Sequence, residues 1–135
     1  MLGELLYEET GNVTGVKVLP PEEGAVVLEV SLQAAGRIQG IDHTSIWTYT
    51  SSTRADGSIF GEGRGVLTTA SGDVVHIVGR ASDQSSGPGS PTRYRGAFHF
   101  HTNSDTFARL NGIAAVFEYD VDSDGSSNAK IWEWT

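Results

Sequence analysis

The sequence contains no cysteine, which excludes a disulfide framework and a metal site built from thiolates. Basic residues are also scarce: nine Lys and Arg stand against seventeen Asp and Glu, and the formal net charge is −8. Proteins that bind nucleic-acid phosphates or anionic membrane surfaces need a surplus of Lys and Arg. We therefore expect no nucleic-acid partner and no membrane partner, and a neutral or cationic partner if there is one.

Long hydrophobic runs are absent as well. No stretch approaches the roughly 18 apolar residues of a membrane-spanning helix. The first residues, "MLGELLYEETGN", show neither the basic segment nor the apolar run of a signal peptide. A cytoplasmic location is therefore predicted, and the length of 135 residues predicts a single domain over 1–135.

What the sequence does have is alternation with a period of two, typical of strands with one buried face. In "VVLEVSLQ", Val26, Leu28, Val30 and Leu32 share one face, and "AAVFEYDVD" alternates in the same way. Strands are predicted near 3–9, 13–19, 25–36, 42–53, 58–69, 73–82, 92–102, 113–122 and 128–135. Gly, Asp and Pro mark turns between several of them, for example at 85–91 and 122–127. A helical turn fits only within 104–112.

Eight or nine antiparallel strands joined by short loops indicate a sandwich or a barrel. A barrel is favoured by "GEGRG", in which Gly61, Gly63 and Gly65 lie on one face and allow sharp coiling or close approach. The predicted fold is all-β: a closed antiparallel eight-stranded up-and-down barrel. The same glycines are not a phosphate-binding loop, because no helix follows them, and no cofactor is predicted.

If the apolar faces point inward, aromatic side chains fill the interior, or lumen, of the barrel. The predicted ligand-binding set shares this inner face and consists of His43, Trp47, Tyr49, Phe98, Phe100, Phe117, Tyr119 and Trp132. Tyr94 and Trp134 are also placed inside. An eight-stranded barrel is wide enough to fill itself or to hold one small ligand. These rings are therefore either a packed core or an apolar pocket with polar tips at His43, Tyr49 and Tyr119.

The other histidines offer a different hypothesis. His99 and His101 share one face of their strand, and a plausible register sets His76 opposite His99, with Glu118 as a fourth ligand. Three imidazoles and a carboxylate suit a divalent metal. These residues also alternate with apolar ones, however, and two arginines share their face. The simpler interpretation is a solvated outer face, and no metal site is predicted.

Three segments carry a resemblance to known proteins: "GSIFGEGRGVLTTASGDVV", "YRGAFHFHTNSDTFARLNGIAAVFEYDVDSDG" and "KIWEWT". They resemble small uncharacterised bacterial β-barrel proteins, similar in motif order to the allene oxide cyclase-like (calycin-like) barrels. The resemblance covers about residues 57–135 and implies the fold. In those cyclases an interior carboxylate acts on an epoxide. No equivalent carboxylate can be assigned here, because Glu118 is predicted to face outward and Glu29 lies on a polar face, so the cyclase activity does not carry over.

The leading functional hypothesis is a barrel that binds a small apolar ligand, with an isomerase- or cyclase-type activity left open. The alternative is a non-catalytic structural or interaction barrel whose packed core and outer face form a homo-oligomer. A histidine-ligated metalloprotein is the third hypothesis. A cavity bounded by Trp47, Tyr49, Phe117 and Tyr119 would favour the first of these.

Overall fold

The structure, a computed structural model, describes residues 2–87 and 90–135 as eight strands and a short helix. Each strand pairs antiparallel with the next in the chain, and β8 pairs with β1, so the sheet closes into an up-and-down barrel. This confirms the predicted fold. The elements are β1 (Leu2–Val18), β2 (Val26–Ile38), β3 (Ile41–Thr53), β4 (Ser58–Thr69), β5 (Val74–Gln84), β6 (Thr92–Thr102), a 3₁₀ helix (Ala108–Gly112), β7 (Ala114–Val121) and β8 (Ser126–Trp134).

The first strand is longer than the sequence predicts. One 17-residue strand replaces those expected at 3–9 and 13–19. Gly11, expected in the connection between them, pairs with both β2 and β8. A Cβ at this position would overlap the carbonyl oxygen of Gln33. Glycine therefore lets β1 bend closely over β2, where the sequence had indicated a turn.

Tight turns join the strands where the sequence concentrates glycine and aspartate. Gln39 and Gly40 both have positive φ, 48° and 80°, as in the two-residue hairpin turns that match strand twist. The turn predicted at 122–127 is confirmed between β7 and β8. Pro88 and Gly89, which belong to another predicted turn, lie outside the described residues.

The inner face follows the predicted alternation. Val30, Leu32, Phe98 and Phe117 are all buried. Val26 shares the face of Val30 but is 57% exposed, because it is the first residue of its strand and lies beyond the packed interior. The alternation therefore identifies the core face correctly, although it cannot show where along a strand the core ends.

The predicted role of the inner glycines is confirmed. A Cβ at Gly65 would collide with the ring of Trp47, and a Cβ at Gly79 on β5 would collide with the ring of Phe98. Glycine on β4 and β5 thus leaves space on the inner face of the sheet, and aromatic rings from the adjacent strands β3 and β6 occupy it.

The two ends of the barrel differ. Between β6 and β7 the chain forms the 3₁₀ helix, and Phe107 and Leu110 around it are 1% and 0% exposed within the core. The side chain of Asn111 holds the helix to the end of β6 by bonding both the N–H and the C=O of Thr102, at 2.8 and 3.0 Å. We call this the plugged end. No helix in residues 2–87 and 90–135 is long and apolar enough to cross a membrane.

Replacing Phe117 by Ala tests the inward face. Phe117 is 6% exposed and stacks on Phe98 with ring centroids 3.9 Å apart. The substitution should lower the free energy of unfolding by about 3–5 kcal/mol in urea denaturation, because it removes a buried ring. Glu118→Ala, one residue along on the exposed face, should cost less than about 1 kcal/mol. A cost at Phe117 no larger than the cost at Glu118 would contradict the inward orientation of Phe117.

Candidate functional site

A carboxylate lies inside the lumen. Glu9, on the inner face of β1, is 6% exposed. Its Oε2 accepts a hydrogen bond from Ser45 Oγ at 2.7 Å and lies 2.8 Å from His43 Nε2. Its Oε1 accepts a bond from the indole N–H of Trp47 at 3.0 Å. His43, Ser45 and Trp47 alternate along the inner face of β3, so a single strand supplies all three partners of the carboxylate.

Small residues on β2 allow the Glu9 side chain to reach its hydrogen-bond partners on β3. Gly36 on β2 pairs with Glu9 on one side and with His43 on the other. Its neighbour on the same face, Ala34, pairs with Ser45. With hydrogen and methyl groups in these two places, the Glu9 side chain can extend across β2 to the donors on β3. A Cβ at Gly36 would overlap the carbonyl oxygen of Glu8, so the close approach of β1 and β2 also requires glycine here.

The directions of these hydrogen bonds follow from their chemistry. The indole N–H of Trp47 can only donate, and it also reaches Ser45 Oγ at 2.9 Å. Because Ser45 Oγ accepts that bond, its own proton is free to bond Glu9. His43 Nδ1 is buried without a hydrogen-bond partner among the described residues. We assign the His43 proton to Nε2, because this tautomer gives Glu9 a third donor and leaves an unpaired lone pair in place of an unpaired N–H.

Tyr7 lies beside this network toward the plugged end. Its ring packs edge-on against His43, with centroids 5.5 Å apart, and against Phe100 at 6.5 Å. Within the described residues its hydroxyl, like His43 Nδ1, is buried with no hydrogen-bond partner. Burial, and next the charge of Glu9, raise the pKa of Tyr7 well above its ordinary value.

An apolar cavity of about 60 Å³ adjoins the carboxylate. Trp47, Phe98 and Phe117, which we call the aromatic stack, form one wall. Trp47 and Phe98 are stacked with centroids 5.3 Å apart and planes inclined by 22°, and Phe117 continues the stack beyond Phe98. The cavity is lined by Glu9, Leu32, Trp47, Tyr49, Gly61, Glu62, Gly63, Gly79, Arg80, Ala81, Tyr94, Phe98, Phe117, Tyr119 and Ala129. Nearly all of the accessible wall of this cavity is apolar.

Three tyrosines occupy the lumen toward the end opposite the plug, which we call the tyrosine end. Tyr49 packs edge-on against Tyr94 and Tyr119, whose rings are parallel with centroids 6.0 Å apart. The hydroxyls of Tyr49 and Tyr119 are 3.3 Å apart, and that of Tyr94 is 2.8 Å from Ser51 Oγ. Tyr49 and Tyr119 are only half-buried. They therefore lie between the cavity and solvent.

The tyrosine end is a source of neutral hydrogen-bond donors. Burial, with smaller contributions from the charges of neighbouring groups including Glu9, raises the pKa of Tyr119 to about 12. Burial likewise raises the pKa of Tyr49 and of Tyr94 above the ordinary value of 10.0. The hydroxyls of all three therefore keep their protons at neutral pH.

The structure brings together most of the predicted site residues. Five line the cavity: Trp47, Tyr49, Phe98, Phe117 and Tyr119. His43 is buried one step away, on Glu9. Phe100 is buried against Tyr7 toward the plugged end and does not line the cavity.

The placement of Trp132 in the lumen is wrong. Its neighbour Ile131 is 0% exposed and pairs with Phe117, so Ile131 points inward and Trp132 lies half-buried on the outer face. Trp134, expected inside as well, is 59% exposed. The alternation of "KIWEW" allows either Ile131 or Trp132 to point inward, and the larger size of Trp132 does not decide between them.

The histidine register is also corrected. His76 pairs with His101, whereas His99 pairs with Val78, and all three histidines are exposed. Glu118 pairs with Arg95 and Lys130. No group of three or more His, Asp or Glu side chains in the described part of the chain could hold a metal ion.

The sequence alone assigns no interior carboxylate, whereas the structure places that of Glu9 inside the lumen. The strand containing it lacks clear alternation, and Glu8 and Glu9 are adjacent and identical in type. A usable signal lay on another strand: three hydrogen-bonding side chains, His43, Ser45 and Trp47, share a buried face and require an acceptor.

The sequence matches no protein-family model and no curated protein. Solved structures share its fold. A conserved protein of unknown function from Rhodopseudomonas palustris superimposes with a TM-score of 0.83 at 14% identity, covering 99% of both chains. A β-barrel-like protein from Acinetobacter baumannii AYE gives 0.82 at 13%, covering 98% of this chain and 94% of its own. An enzyme from Penicillium herquei gives 0.66 at 17%, covering 96% and 94%. The predicted likeness to uncharacterised bacterial barrels is thus confirmed for the fold.

Titration of the tyrosines tests the burial of this site. All four tyrosines have a pKa raised above 10.0. The folded protein should therefore gain little tyrosinate absorbance at pH 10.5, whereas the chain unfolded in guanidinium chloride should titrate near pH 10. Because the folded state keeps protons that the unfolded chain releases, stability should fall as pH rises above about 10. Coincident titration curves for the folded and unfolded protein would contradict the burial of these hydroxyls.

Proposed function

We propose that this barrel binds a small, flat, apolar molecule in its lumen, with one polar group of the ligand directed at Glu9 or at the tyrosine hydroxyls. The observation that carries the proposal is the apolar cavity with a single buried carboxylate held on its wall. Binding sites for small molecules combine mostly apolar walls with a few fixed polar groups in this way. A barrel whose only task is structural could replace Glu9 and its three partners together by packed apolar side chains with little or no loss of stability.

The size of the cavity limits how a ligand binds. At about 60 Å³ it is smaller than the cavity of about 150 Å³ that holds benzene in an engineered protein. A ring-sized ligand must therefore displace side chains. Tyr49 and Tyr119 are half-buried aromatic residues of the lining, and they are joined to each other by one long hydrogen bond of 3.3 Å. A small outward shift of these two rings would enlarge the cavity with their hydroxyls still on its wall, while the aromatic stack and Glu9 stay in place.

Two lines of support come from outside the cavity. The sequence resembles barrels in which an apolar lumen holds the substrate, and one solved structure with this fold is described as an enzyme. Both concern other proteins, and at such low identity neither identifies a ligand. The chemistry of the cavity wall remains the reason to propose a flat apolar ligand.

Ligand-observed NMR with phenol and 2-naphthol as probes tests the proposal. Both should bind the wild-type protein. Ala81→Val adds two methyl groups at a buried position of the cavity wall and should weaken binding at least tenfold, or by about 1.4 kcal/mol. Ala97→Val, on the exposed face of the neighbouring strand, should leave binding unchanged.

Thermal unfolding of both valine variants shows whether they remain folded. Equal binding of phenol to the wild-type protein and Ala81→Val would place the ligand outside the lumen. Binding of neither probe to the folded wild-type protein would contradict the proposal.

A further inference from the structure

The surroundings of the Glu9 carboxylate suit a chemical role as well as ligand binding. Carboxylates in barrel interiors are costly unless several donors compensate them, and here His43, Ser45 and Trp47 do so from one strand. Despite these partners, Glu9 still lines the cavity. It is therefore fixed in orientation and also accessible to a bound ligand. These are the two geometric conditions for a general base.

The cavity offers a second polar feature toward its other end. Tyr49 and Tyr119 line the same cavity as Glu9, and their hydroxyls lie 3.3 Å apart. Each hydroxyl has a single proton, so in the pair at least one proton can turn from its neighbour to a ligand oxygen. Burial raises the pKa of both groups, which keeps them protonated donors. The aromatic stack lines the same cavity and gives a flat ligand an apolar wall.

From this arrangement we propose that Glu9 is the catalytic base of an isomerase that shifts a proton, and with it a carbon–carbon double bond, within a small unsaturated ketone. The inference rests on the proposed function, since the ketone is the flat ligand of the lumen. The ligand lies with its carbonyl oxygen at the hydroxyls of Tyr49 and Tyr119 and its α-carbon at Glu9. His43, Ser45 and Trp47 act as positioning residues, because they hold the carboxylate.

The reaction balances without any further reactant. The Glu9 carboxylate takes the proton from the carbon next to the carbonyl group, and the electrons of that C–H bond form a dienolate whose oxygen accepts a hydrogen bond from tyrosine. The same carboxyl group then returns the proton to the γ-carbon of the ligand. The double bond moves from the β,γ to the α,β position, and Glu9 ends as it began. Hydrogen-bond donors aimed at a developing oxyanion lower the barrier to such steps.

The test uses cyclohex-3-en-1-one, a β,γ-unsaturated ketone, in D₂O. NMR should show its conversion to cyclohex-2-en-1-one at a rate at least about 100-fold above that in buffer. Glu9→Gln should reduce the rate about 10²- to 10⁴-fold while cyclohexanone still binds. The glutamine can accept from Trp47 and donate to His43 once the imidazole proton moves to Nδ1, which preserves the packing. Glu8→Gln, the exposed neighbour, should react as the wild-type protein does.

Binding and isomerisation are measured separately, so that a failure of the proposed binding function can be distinguished from a failure of the proposed reaction. Cyclohexanone that binds the wild-type protein, with no isomerisation of cyclohex-3-en-1-one, would overturn proton transfer and leave the binding function intact. Phenol binding without any ketone binding would overturn the substrate class. If neither phenol nor ketone binds, the proposed function itself fails.

A second variant covers the case in which Glu9→Gln does not fold. Tyr49→Phe with Tyr119→Phe keeps both rings and removes only the hydroxyls. Loss of the oxyanion donors should lower kcat about 100-fold or more, with a smaller effect on KM. An unchanged kcat would overturn the assigned role of the tyrosines and, with it, the proposed orientation of the ketone.

Discussion

The interior of this barrel is organised around one buried carboxylate. Isolated ionised groups are strongly disfavoured in apolar interiors, and removing one partner of a buried charged pair costs about 3–5 kcal/mol. Glu9 is tolerated because Ser45 and Trp47 donate to it and His43 lies within hydrogen-bond distance. The position of these three groups is fixed in turn by their alternation on β3. The local structure around Glu9 is thus set by the requirement that its buried carboxylate accept hydrogen bonds.

Glycine and alanine make room in the lumen for Glu9 and for the aromatic rings beside it. Gly36 and Ala34 on β2 leave the path from Glu9 to β3 clear, and Gly65 and Gly79 leave room for the rings of Trp47 and Phe98. The lumen is divided as a result. Apolar residues and the 3₁₀ helix fill the plugged end, the carboxylate and aromatic stack occupy the middle, and half-buried tyrosines face solvent at the far end. Such a division supports binding and chemistry in the middle without opening the core.

Much of the fold could be predicted from the sequence, because barrel strands must alternate and their turns need glycine and aspartate. The cavity-lining aromatics on β3, β6 and β7 followed from the same rule. Glu9 and Trp132 did not. The strand containing Glu9 departs from regular pairing where Leu5 and Tyr7 meet β8, so parity along the chain does not indicate its inner face. Trp132 lies on a short strand in which each face mixes apolar and polar residues, and only its pairing with β7 shows which face is buried.

The indole N–H of Trp47 reports on the central carboxylate most directly. In a ¹⁵N-labelled sample, hydrogen exchange of the three tryptophan indoles separates Trp47, which is buried on Glu9, from Trp132 and Trp134 on the outside. We predict one slowly exchanging indole signal, which shifts in Glu9→Gln while the other two stay in place. Three indoles that exchange equally fast, or a protected signal that is insensitive to Glu9→Gln, would contradict the presence of a fixed carboxylate in the lumen.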